Sequence, residues 1–189
     1  PGPCVDMKLW LLRHAPVLLP SGLCYGAIDV PADASLTREA AQAFAPLPPP
    51  GTPVWVSGLM RAQQMAGALQ AVRPELGAAR MDTRLNEMDF GRWELQRWDS
   101  IPRSAFDEWT ADFAHHRFGG AESTQMLLYR VAAALADLRP AKTTDVVWVT
   151  HAGVIRAVQH IVANGVHIKD MAEWPKEAPE PGAWTSLSV

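Results

Sequence analysis

Apolar and polar positions along this chain fall into two kinds of block. Short apolar runs that stop abruptly at polar residues occur at Leu9–Leu12, ending in Arg13-His14, and at Val54–Val56, ending in Ser57-Gly58. A third covers Asp145–Thr150 and ends in His151-Ala152-Gly153. Runs of this length, rich in Val, Leu and Trp, are buried strands. A shorter strand is expected near 78–81. Between the runs, apolar residues recur every three or four positions. Met65, Leu69 and Val72 predict a helix over 60–72, for which Ser57 is a candidate cap. Leu128, Val131, Leu135 and Leu138 predict another over 123–138. Further helices are expected over 37–45, capped by Thr37, over 104–115 and over 154–162. The stretch 46–53, five of its residues proline, must be a loop. Residues 84–97 mix polar and aromatic side chains without a period and read as loop with short helical turns. Strands alternating with helices give an α/β fold, a three-layer α/β/α sandwich around a mostly parallel central sheet.

Parallel strands bring their C-terminal ends to one edge of the sheet, the edge where ligands bind in open α/β folds. Arg13, His14, Ser57, Arg61 and His151 therefore converge, although 137 positions separate the two histidines. Two guanidiniums and two imidazoles around one point make a pocket for a tetrahedral oxyanion, since the planar arginine fork matches phosphate oxygens. Helices beginning just after Ser57 and Gly153 add backbone donors.

The 189 residues suffice for one domain with a sizeable core. A net charge of −3 calls for neither nucleic acid nor an anionic membrane as partner. No apolar stretch approaches the roughly 20 residues that span a bilayer. Cys4 and Cys24 are expected to be reduced thiols of a cytoplasmic protein, packed as small apolar fillers. Residues 1–6 are expected to lie outside the fold, with Met7 as natural start and 7–189 as a single domain. His115 and His116 point about 100° apart on a helix, which argues against a shared metal; no metal or cofactor is expected. His160 and His167 read as surface or loop histidines.

Five segments then match a known pattern in order: Leu11–His14, Val56–Ala62, Leu85–Glu94, Gly119–Ser123 and Val149–Arg156. With them the sequence resembles the histidine phosphatase superfamily in its phosphoglycerate-mutase-like branch. Gly22–Pro31 is similar in particular to a segment of bacterial α-ribazole-5′-phosphate phosphatases. Singly, Arg13-His14 is a solvated strand end, Arg61 a surface helix residue and Glu87 one charge among several. The five matches together outweigh those readings.

The resemblance implies a phosphoglycerate-mutase-like fold and a metal-independent phosphomonoesterase acting through phosphohistidine. His14 would be the nucleophile. Arg13, Arg61 and His151 would hold the phosphoryl oxygens, with Ser57 and Ala152 as further substrate contacts. Glu87 would protonate the leaving alkoxide and then activate water. The substrate would be a small phosphomonoester, α-ribazole 5′-phosphate of cobalamin nucleotide-loop assembly in the first instance. A mutase and a catalytically silent phospholigand-binding protein are the alternatives.

The sequence departs from the family where Ala15 replaces a glycine, and where Val17 and Pro20 stand at positions that are often Thr and Asn. Ala15 fits only if its φ is negative. An extra residue in the Gly119–Ser123 segment puts a role for Glu122 in question. Trp93, Trp98, Trp109 and Phe113 suit either a lid that stacks on an aromatic leaving group or a hydrophobic core under a loop. The stretch 171–182 has no assigned place beyond passing over the surface.

Overall fold

Along β1 (Lys8–Arg13) successive side chains enter two different cores. Leu9 and Leu11 join Val146 and Trp148 of β4 (Asp145–Thr150) on one face of the sheet. Trp10 and Leu12 join Val147 and Val149 on the other. A strand buried on both faces has no polar alternation, which is why these runs are continuously apolar. Full burial of each such side chain contributes roughly 1.5–3 kcal/mol. The computed structural model describes residues 6–138 and 143–189. Cys4 and the expected extension up to residue 5 lie outside the described residues.

The sheet has five strands in the order β3-β2-β4-β1-β5, where β2 is Val54–Val56, β3 is Arg80–Met81 and β5 is Trp184–Ser188. All neighbours pair in parallel except β5, which runs antiparallel to β1. Leu127, Leu128 and Val131 of α4 (Thr124–Ala136) and Ile155 and Val158 of α5 (Ala152–Asn164) cover one face. Ala41 and Phe44 of α1 (Ala34–Phe44) and Met65 and Leu69 of α2 (Met60–Val72) cover the other. The result is a three-layer α/β/α sandwich. A third cluster, Cys24, Ile101 and Phe118 with partly buried aromatics, lies beneath α3 (Arg103–Ala111).

Element boundaries differ from the sequence reading for identifiable reasons. Helix α1 begins three residues before Thr37, because the Asp33 carboxylate accepts the Leu36 N–H at 2.8 Å. Ser123 caps α4 in the same way through Met126 N–H. Helix α5 starts at Ala152, which puts His151 at its N-cap position. Ser57 accepts the Leu59 N–H, while Asp29 takes that of Met60, the first residue of α2. Strand β3 is two residues long and α3 stops at Ala111. Strand β5 has no counterpart in the sequence reading. His160 is a correction: it is fully buried in α5, within reach of the carbonyls of Glu173 (3.3 Å) and His167 (2.9 Å). No described helix is long and apolar enough to cross a membrane.

Candidate active site

Register alone places the polar strand ends together. Arg13 lies opposite Thr150 on neighbouring strands, and Val56 lies opposite Val149. The His14 N–H donates to Thr150 O at 3.2 Å, and the Ser57 N–H donates to Val149 O at 3.1 Å. The chain leaves the sheet at these points, so His14, Ser57 and His151 share one edge. All three are buried, as is Arg61 one turn into α2. The rings of His14 and His151 lie 5.1 Å apart.

The ring of His14 is fixed by its own neighbour. Nδ1 is 2.8 Å from Ala15 O, and a carbonyl only accepts. Nδ1 therefore carries the proton and Nε2 is left with its lone pair. Burial pushes the His14 pKa down to about 3. The bond to Ala15 opposes that shift, while Arg61 and Arg13 add to it. The ring is neutral, hence nucleophilic, at every ordinary pH. Ala15 has a negative φ, so its methyl group is accommodated. Val17 makes a bridge to Ala32 instead of a polar contact.

Each arginine is held at its far end. Arg61 donates through Nη1 to Ile28 O (2.8 Å) and through Nη2 to Gly26 O (2.6 Å), and its guanidinium lies over the Tyr25 ring. Burial lowers its pKa, and Glu87, Tyr25, Glu94 and Asp29 oppose the shift. Arg13 donates through Nη1 to Pro179 O at 2.8 Å, so the C-terminal stretch passes directly beside the site. The Gly182 N–H donates to His14 O at 2.8 Å and anchors that stretch. In both arginines the inner Nε–H is buried without a partner among the described residues.

His151 completes the group. Its Nε2 lies 2.8 Å from Ser57 Oγ. The single Ser57 proton goes to Asn86 Oδ1, which already accepts the Gly58 N–H and can only accept. Nε2 therefore donates, and Nδ1 is buried without a partner among the described residues. Complete burial, then the nearness of the His14 ring and of the Arg61, Arg130 and Arg13 guanidiniums, holds the His151 pKa well below the usual histidine range.

Glu87 stands at the mouth of this group, partly exposed. Its Oε1 accepts the Met88 N–H (2.9 Å) and its Oε2 accepts the Gly153 N–H (3.0 Å), in the first turn of α5. Helix N-termini favour such a carboxylate. A Cβ at Gly153 would overlap the Glu87 carboxylate, so only glycine permits this approach. Ala152, the first residue of α5, is buried beside it, and its N–H has no acceptor within the helix.

Several supporting residues escaped the sequence reading. Arg130 donates to Arg84 O, Asn86 O and Glu87 O and pairs with Glu122 at 2.7 Å, fixing the backbone that carries Glu87. Glu122 also accepts the Asp89 N–H, which gives it a structural place. The available signal was that Arg130 is the one charged residue of α4. Glu94 accepts the N–H groups of Gly26, Ala27 and Phe90, and so shapes the loop whose carbonyls hold Arg61. Gly119, at φ +85°, packs so close to Phe90 that a side chain is excluded. Cys24 is a free thiol in the aromatic cluster, its pKa pushed up to about 12 by burial and by Glu94. Among the described residues no group of His, Cys, Asp or Glu is placed to hold a metal ion.

The fold recurs in known structures. An Escherichia coli K-12 protein described as "a putative alpha-ribazole-5'-P phosphatase" is 26% identical, with a TM-score of 0.76 over 96% of this chain and 89% of its own. Phosphoglycerate mutase from Thermus thermophilus is 26% identical, with a TM-score of 0.70 over 96% of this chain and 92% of its own. Mycobacterial hydrolase 1, at 24% identity and a TM-score of 0.73 over 96% and 89%, shares the fold. No curated protein sequence matches this one. The model of the histidine phosphatase superfamily, branch 1, matches residues 9–188, and the chain belongs to that superfamily.

Proposed function

We propose that this protein is a phosphomonoesterase that transfers the phosphoryl group first to His14 and then to water, with no metal required. One observation carries the reading. Four buried side-chain polar atoms lack a partner among the described residues, and three of them are Arg13 Nε, Arg61 Nε and His151 Nδ1. Unpartnered buried polar groups are costly, about 1–3 kcal/mol each, and native proteins retain few of them. The two arginine Nε–H groups are donors beside one neutral imidazole and suit a ligand with several acceptor oxygens and negative charge, and His151 Nδ1 joins them once it is protonated. A phosphoryl group has both.

In the first step, which Glu87 enters as the carboxylic acid, the Nε2 lone pair of His14 attacks phosphorus, the P–O bond to the alcohol breaks, and Glu87 gives its proton to the departing oxygen. In the second, Glu87 takes a proton from water, the oxygen attacks phosphorus, the P–N bond breaks and phosphate leaves. Arg13 and Arg61 neutralise the charge of the transferring group, the main requirement of phosphoryl transfer. The dianion also favours the protonated form of His151, whose Nδ1–H then donates to a phosphoryl oxygen.

The specific substrate proposed is α-ribazole 5′-phosphate. The similarity to the E. coli protein at a TM-score of 0.76 supports it, as does the Gly22–Pro31 segment. Phosphate release from a panel of phosphomonoesters, in the presence of a chelator, is the test. Turnover with α-ribazole 5′-phosphate among the best substrates is expected. Exchange of phosphate between the hydroxyls of a glycerate, without release, would indicate a mutase. Phosphate binding without turnover would indicate a silent binding protein.

A further inference from the structure

Glu87 and Gly153 also line a cavity of about 230 Å³. Its other walls include Phe90, Trp98, Trp109, Phe113, Trp174 and the Arg156 side chain. The wall aromatics pack on one another in stacked and edge-on pairs. Trp109 and Phe113 are stacked at 5.4 Å, Phe113 meets Trp174 edge-on at 6.0 Å, and Phe90 meets Trp98 edge-on at 5.6 Å. This is more than the inside of a core. The centre of the aromatic cluster is Phe118, which is fully buried, whereas Trp98 is 37% exposed and Trp109 and Trp174 are partly exposed. A cavity of roughly 150 Å³ with apolar walls accepts a benzene ring, so this one holds a ring with a linker or two fused rings.

Two features show a built wall. Trp174 arrives from the C-terminal stretch, and the adjoining Glu173 carbonyl is within reach of buried His160 on α5, which also engages the His167 carbonyl. Arg156 lies one turn of α5 beyond Ala152, where the helix also meets Glu87, and it has no carboxylate partner among the described residues. A pocket with apolar walls and a cation free of any carboxylate binds a ring and fixes its orientation through an acceptor atom.

We infer that this cavity is the leaving-group subsite and that the enzyme selects phosphomonoesters whose alcohol carries a planar aromatic ring with a hydrogen-bond acceptor. The inference rests on the phosphomonoesterase reading, since Glu87 links the two spaces by protonating the oxygen between them. Trp174 is the wall that sets ring preference. Arg156 receives the acceptor.

The test compares ethyl phosphate with 2-phenylethyl phosphate, two alkyl esters of similar leaving-group basicity that differ by a ring. Wild-type kcat/KM is expected to favour the ring ester about tenfold or more. Trp174→Ala should lose most of that preference, and Trp174→Phe should retain most of it. Arg156→Met should lose about threefold or more on 2-(pyridin-4-yl)ethyl phosphate relative to 2-phenylethyl phosphate. A wild-type enzyme that hydrolyses both esters without preference overturns the subsite and leaves the phosphatase reading standing. So does a Trp174→Ala variant that loses both esters in proportion. An enzyme that hydrolyses neither ester, nor any ester of the panel, overturns the phosphatase reading and the subsite together.

Discussion

The two sides of Glu87 are built on different principles. On one side His14, Ser57, Arg61 and His151 are buried at strand ends and helix starts, and every one of them is bonded to backbone or to another member of the group. On the other side the cavity is walled by side chains from loops, from 3₁₀ turns, from the C-terminal stretch and from α3, α4 and α5, several of them partly exposed. The first arrangement resists displacement, as the handling of a small symmetric charge requires. The second can be rebuilt residue by residue without touching the sheet. On the proposed reading, such a contrast lets one fold keep its chemistry at the strand ends while the neighbouring wall varies. A larger cavity of about 560 Å³ between α4, α5 and the far end of β1 shares no residue with either side.

The largest expected effect breaks the phosphate side. Arg61→Ala removes the charge and both anchors to Gly26 O and Ile28 O. It should cost roughly 10³-fold or more in kcat/KM, equally for every ester. A loss that varies with the leaving group would dissolve the division.

Glu87→Gln acts at the boundary. The loss in kcat/KM, which reports the step in which the alcohol leaves, should be roughly 10²–10⁴-fold for an alkyl phosphate and less than about tenfold for p-nitrophenyl phosphate, whose leaving group needs no proton. Equal losses measured side by side would remove Glu87 from the acid role.

The smallest effect is on stability. The pKa of His14 is about 3 in the fold and near 6.5 when unfolded, so between these values the unfolded chain binds more protons. Its contribution is therefore fully present above pH 6.5 and declines as pH falls toward 3, by a few kcal/mol in all. His151 acts in the same direction. Thermal unfolding followed across this range should show the midpoint falling with acid, less steeply in His14→Gln and unchanged in slope in Trp174→Phe. Equal slopes in wild type and His14→Gln would mean that His14 is not buried neutral.

The same division decided what the sequence revealed. Strand ends were legible because a doubly buried strand is a continuous apolar run and a polar residue that ends it is conspicuous. Arg13, His14, Ser57 and His151 were all placed from that signal. Arg61 followed from helical spacing, and Glu87 required the family resemblance, since nothing local separates it from Asp89 or Glu94. Glu94 and Arg130 act on backbone carbonyls and N–H groups, which have no sequence signature. Strand β5 was missed because Trp184–Ser188 is short and only partly buried at the sheet edge. The reach of Pro179 and Trp174 back to Arg13 and Glu87 is a long-range consequence of pairing β5 with β1. His160 was misplaced because buried histidines bonded to carbonyls look like any other polar residue in a helix.

The central claim is that Nε2 of His14 takes the phosphoryl group. Rapid mixing with a slow alkyl phosphate, an alkaline quench that preserves phosphohistidine, and peptide mass spectrometry test it directly. The account predicts one phosphoryl group on the peptide containing His14, on that side chain, and none in His14→Ala. A phosphoryl group found on Ser57, or the same labelling in His14→Ala, would contradict it.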